Sequence, residues 1–116
     1  MTSELETFIQ EYRRCAEEQG NAFMEGDSVT ANQNYDKRQE LRQKIRDFGN
    51  EGDVALLSLM EDTNQNVKCL AAIDSLRFDK RKAVKVLKKL SKEKGIIAFN
   101  AKMFLKEWKK GAIEMP

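Results

Sequence analysis

Lys68 and Cys69 stand side by side in Asp62-Thr-Asn-Gln-Asn-Val-Lys-Cys-Leu-Ala-Ala72, just after a polar turn. A thiol beside a cation at a helix start is the setting in which a cysteine becomes a nucleophile. Two facts argue against it. Neighbouring positions on a helix point about 100° apart, so Lys68 faces away from Cys69, and the chain has no histidine to act as a base. Cys69 therefore reads as a packed thiol. Cys15 is the only other cysteine, far away and outside any CxxC pair, so neither a disulfide framework nor a zinc site is indicated.

Carboxylate chemistry has no better foundation. Glu17-Glu18 and Glu51-Gly52-Asp53 fall at helix starts or on outward faces, without the spacing of a DxD, ExxH or EF-hand motif. The sequence thus predicts no catalytic, cofactor-binding or metal-binding residue, and a protein that is not an enzyme.

The basic residues are more informative. In Asp79-Lys-Arg-Lys-Ala-Val-Lys-Val-Leu-Lys-Lys-Leu-Ser-Lys-Glu-Lys94, Lys82, Lys85, Lys89 and Lys92 recur every three or four positions and share a helix face opposite the apolar stripe. Such a face is often merely solvated, but it can also track phosphates or meet a charged protein. Residues 67 to 116 hold 14 Lys/Arg against 5 Asp/Glu, a net of +9, whereas residues 1 to 66 hold 7 against 14, a net of −7. The chain is a charge dipole suited to steering a partner. The run is nearly all lysine and meets no aromatic before Phe99, which weighs against nucleic acid.

A second constellation lies in Ala31-Asn-Gln-Asn-Tyr-Asp-Lys-Arg-Gln-Glu-Leu-Arg42, where Asn34, Arg38 and Arg42 fall on or beside the stripe of Ala31, Tyr35, Leu41 and Ile45. Polar groups so placed need partners, which neighbouring helices usually supply. The competing reading makes Tyr35, Arg38 and Arg42 a recognition surface, since Tyr and Arg dominate protein interfaces. Asp74, inside another apolar helix, poses the same choice. Trp108 reads as a core or capping residue on the last helix.

The elements that carry these residues follow from the 3.6-residue period. Leu5, Phe8, Ile9, Tyr12, Cys15, Ala16, Gln19 and Phe23 predict a first helix, and Ala31, Tyr35, Leu41, Ile45 and Phe48 a second, entered at Gly26-Asp27-Ser28 and ended by the glycines of Phe48-Gly-Asn-Glu-Gly52. Residues 1–49 thus form a long helical hairpin. Asp53 is placed to cap a third helix with Val54, Leu56, Leu57 and Met60, and a fourth carries Val67, Leu70, Ala71, Ile73 and Leu76. Asp79 caps a fifth with Ala83, Val84, Leu87 and Leu90, and Gly95 breaks it before a sixth with Ile97, Ala101, Phe104, Leu105 and Trp108. Residues 50–116 therefore read as two HEAT-like hairpins, and the whole as one all-α domain of about six helices.

The start of the chain lacks the basic flank and apolar run of a signal peptide, and no window reaches the roughly 18 apolar residues of a membrane span, so a cytoplasmic location is expected.

The polar turn followed by Val67, Lys68, Ala71, Ala72 and Leu76 resembles the second helix of a HEAT hairpin; Ile97 and Ala101 repeat part of it, although Lys102 departs from the second alanine. With the Gly26-Asp27 turn leading to Ala31, Asn32 and Tyr35, and the ending with Met103, Leu105, Gly111 and Pro116, the chain resembles the domain of unknown function 2019 family. The resemblance implies a small bacterial HEAT-like protein, and an association with immunity proteins of polymorphic toxin and contact-dependent inhibition systems. It carries no catalytic motif and fixes no toxin-binding residue. The expected function is neutralisation of a cognate toxin by protein binding, with the protein a monomer when free, without cofactors or membrane contact. The candidate contact residues are Tyr35, Arg38, Arg42, Lys82, Lys85, Lys89 and Lys92. The alternative is a nucleic-acid-binding helical repeat that uses the lysine-rich face of residues 80–110.

Overall fold

The computed structural model describes residues 3–111 of the protein; Pro116 and the rest of 112–116 lie outside the described residues. Six α-helices and no strand occur there: α1 Ser3–Met24, α2 Ser28–Arg46, α3 Asn50–Ser58, α4 Gln65–Ser75, α5 Lys80–Ser91 and α6 Ile96–Lys109, with a 3-10 turn at Leu59–Glu61.

Leu5, Ile9, Tyr12, Cys15 and Ala16 form the buried stripe of α1 and share one core cluster with Leu41 and Ile45 of α2. The chain reverses through Gly26, whose φ of 75° favours glycine. Asp27 then caps α2 by accepting the Thr30 amide at 3.1 Å, a bond that lowers the Asp27 carboxyl below its ordinary range.

α2 stops at Arg46, short of Phe48, because Gly49 takes a φ of 69° and the Phe48 and Gly49 amides close a tight turn onto the carbonyls of Ile45 and Arg46. Phe48 still reaches the core region, edge-on to Phe8 with centroids 6.2 Å apart. The expected roles of Gly52 and Asp53 need correcting. Gly49 occupies the cap position of α3, so Asp53 sits within the first turn, and Gly52 is a buried helical residue whose added Cβ would lie 1.9 Å from the Ile45 carbonyl oxygen. Gly52 is there for close packing, while Gly49 alone makes the break.

The turn into α4 is built from side-chain acceptors. Asp62 accepts the Asn64 amide at 2.8 Å, and Asn64 accepts the amides of Asn66 and Val67 at 2.9 and 3.1 Å. Arg13 of α1 donates two bonds to Asp62, at 2.7 and 3.1 Å, and these hold that carboxyl below its ordinary range. The turn is thereby fastened to the first helix. On α4, Val67, Ala71 and Ala72 are wholly buried, and α4 packs against α1, α3, α5 and α6. Two adjacent alanines let several helices approach one element closely. Asp79 caps α5 by accepting the Lys82 amide at 3.2 Å, and Ala83, Leu87 and Leu90 close the core with Ala101 and Leu105 of α6. The result is a stack of helical hairpins. No helix of the described residues is long and apolar enough to cross a membrane.

Candidate functional site

Cys69 is buried, and burial pushes its thiol up to about 11 despite the opposing pull of the Arg38 charge. Burial raises Cys15 in the same direction. Neither is a thiolate at neutral pH. Among the described residues no group of three or more His, Cys, Asp or Glu side chains is placed to hold a metal ion.

The polar residues of α2 converge on Asp74, which α4 presents to the interior. Tyr12 donates its hydroxyl to Asp74 Oδ2 at 2.5 Å, Arg38 Nη1 pairs with the same oxygen, and Arg42 Nη1 stands 3.4 Å from Oδ1. Arg38 Nε also donates to Gln19 Oε1 at 3.1 Å. The Arg38 guanidinium lies between two tyrosine rings, 6.0 Å from the centre of Tyr12 and 5.5 Å from that of Tyr35. Burial alone would lower the Arg38 group, but the Asp74 charge overrides it and holds Arg38 above its ordinary range. Burial first, and then the Asp74 charge, lift the Tyr12 phenol well above 10.0. Each charge here is compensated, as buried charges must be.

This arrangement decides where the sequence candidates of α2 go. Arg38 is 3% exposed, with Nη1 committed to Asp74 and Nε to Gln19, so it is an interior residue and no surface anchor. Arg42 is mostly covered beside it. Asn34 donates to the Thr30 carbonyl in its own helix. Tyr35, 47% exposed, is the member of the group that faces solvent.

Two surface regions bear on the remaining candidates. At the far end of the first hairpin Phe23, Met24 and Val29 are at least half exposed, although Phe23 has the spacing of the core stripe. Glu18, Glu25, Asp27 and Asp36 are exposed on the same hairpin. Beside Phe23 a cleft of about 190 Å³ opens against Leu70 and Ile73 of α4 and Ile97 of α6. That is below the roughly 300 Å³ at which small-molecule pockets begin, but it suits one large side chain of a partner. Gly20 allows α1 and α4 to meet at this cleft, since an added Cβ would lie 2.0 Å from Cγ of Asn66.

The second region is a groove of about 960 Å³ on α5 and the end of α6. Lys80, Arg81, Lys85, Lys88, Lys89 and Lys92 of α5 and Lys109 of α6 line it over Val84 and Trp108, with no carboxylate among them. Lys85, Lys89 and Lys92 were expected on one face and are in the groove. Lys82 is outside it, 3.6 Å from Glu61. The signal missed in the sequence was the spacing of Arg81, Lys85, Lys88 and Lys92, which keeps four cations within about 60° of one helix face. Trp108 was missed for another reason: it packs against the core and also shows a ring to the groove, with Lys80 Nζ 5.3 Å from its centre.

Neither a protein-family model nor a curated protein matches this chain. Among solved structures its fold matches the crystal structure of the protein RPA1889 from Rhodopseudomonas palustris CGA009, with a TM-score of 0.85 and 22% identity over the whole of this chain and 95% of that one. The likeness establishes the all-helical fold that the two chains share.

Proposed function

We propose that the protein acts by binding another protein, as an immunity protein whose recognition face is the acidic first hairpin and whose partner is a basic toxin domain. The observation that carries this reading is the half-exposed Phe23 at an apolar cleft the size of one side chain, on a hairpin that also exposes Met24, Val29 and Tyr35. Exposed aromatics next to a pocket are the usual anchors of a protein interface. The carboxylates around them match a cationic partner and would speed its capture at low salt. The link to toxins comes from the sequence resemblance to the domain of unknown function 2019 family.

The test is co-purification with, and protection from, a toxin domain encoded beside this gene. Binding should weaken more than tenfold in Phe23→Ala and in Tyr35→Ala with the helical circular-dichroism spectrum retained. A toxin that neither co-purifies nor loses toxicity in the presence of this protein sinks the proposal.

A further inference from the structure

We infer that the groove on α5 and α6 is a binding site for single-stranded nucleic acid, in which the α5 cations track the phosphates and Trp108 stacks a base. Nothing in the toxin-binding reading calls for this site, since that reading uses the opposite, acidic end of the chain.

Three observations carry the inference. First, Arg81, Lys85, Lys88 and Lys92 follow one another along one line of α5 at intervals of about 4.5–6 Å, a linear array of charge without a lining carboxylate. Three arginines and one lysine outside the groove do meet carboxylates: Arg13 has Asp62 and Glu17, Arg38 and Arg42 share Asp74, and Lys82 has Glu61. Like charges four positions apart, as in Arg81 with Lys85 and Lys88 with Lys92, destabilise a helix, so this array costs the protein stability until a polyanion neutralises it.

Second, the groove has an aromatic wall. The half-buried Trp108 ring and Val84 give a base an apolar face to lie on once the flexible Lys80 side chain, whose Nζ sits 5.3 Å from the ring centre, swings off the ring to a phosphate, and base stacking on an aromatic ring is indifferent to sequence. In a duplex the bases are hidden in their own stack, so only an unpaired strand can use Trp108.

Third, six of the seven lining cations are lysine. Lysine is depleted from protein interfaces, and the scarcity of arginine that weighs against base-reading nucleic-acid recognition matters little here, since lysine meets phosphates as a point charge and a strand bound without regard to sequence needs no bidentate contact. An acidic protein is accordingly the weaker candidate.

Trp108 is the sole tryptophan of the chain, so its fluorescence reports on the site directly. The experiment titrates the full protein with an oligothymidine of about 12 nucleotides, following both anisotropy of a labelled strand and tryptophan quenching. Expected are quenching on binding and a log affinity that falls against log salt with a slope of about −3.5 for five phosphates neutralised, roughly 100-fold between 50 and 200 mM. Lys85→Glu with Lys88→Glu should lower affinity at least tenfold and flatten that slope, and Trp108→Leu should lower affinity about tenfold and leave the slope unchanged. Because Trp108→Leu also touches the core, quenching in the unaltered protein stands as independent evidence of stacking. No binding at 50 mM salt, equal binding by the lysine variant, tighter binding of the matching duplex, or equal binding of polyglutamate without quenching would each overturn the inference.

Discussion

The first hairpin and the last one treat positive charge in opposite ways. In α1–α2 the arginines at positions 38 and 42 turn inward and share one carboxylate with Tyr12, while Glu18, Glu25, Asp27 and Asp36 are exposed towards the turn of the hairpin. In α5–α6 the cations turn outward in one row and the interior is closed by Ala83, Leu87, Leu90, Ala101 and Leu105. The same helical period serves both. A cation therefore contributes to stability in the first case and detracts from it in the second, according to whether a carboxylate is packed against it.

The largest break in this contrast should come from Asp74→Ala. It leaves Arg38 buried without its counter-charge and should cost about 3–5 kcal/mol in urea denaturation, whereas Arg38→Met with Asp74→Leu should recover most of the loss. A loss below about 1 kcal/mol would mean that the network is not what joins α4 to the hairpin. Tyr12→Phe keeps the ring and removes one donor to a charged acceptor, for an expected loss of about 1.5–3 kcal/mol.

The alkaline limb of stability sharpens the picture further. Cys69 has a folded value of about 11 against an ordinary 9.0, so the folded state holds its proton longer than the unfolded one. Stability from this group is complete below pH 9 and declines between pH 9 and 11, where Cys69→Ala should show a shallower slope. Tyr12, raised above 10.0, adds to the decline beyond pH 10. Alkylation of Cys69 at neutral pH should need unfolding. Smallest, and opposite in sign, is Arg81→Ala: it relieves repulsion with Lys85, takes a cation out of the first turn of α5 and should leave stability unchanged or raise it by about 0.2–0.5 kcal/mol.

Much of this architecture can be read from the sequence, because helix period and capping residues are local. Asp27 and Asp79 cap where their neighbours say they should, and Asn64, legible only as part of a polar turn, caps α4. Gly49 and Gly52 look alike in sequence, yet only Gly49 has a positive φ; Gly52 is explained by the Ile45 carbonyl, which comes near only after α3 folds onto α2. The network is half legible: Arg38, Arg42 and Asp74 each announce that a partner is needed, but Tyr12 and Asp74 are separated by 62 positions and nothing local pairs them. The groove is hidden for the same reason, since its lysines and Trp108 lie on different helices.

The Asp74 cluster also acts as a check on assembly. It is complete only when α1, α2 and α4 are all present and in one alignment, because its members come from each of the three. A slip of α4 by one turn, about 5.4 Å, would keep leucines and alanines facing leucines and alanines but would leave a naked carboxylate opposite apolar carbon. Apolar packing alone tolerates such shifted arrangements; the buried charge rejects them, and so selects one ordering of the helices from several of similar greasiness.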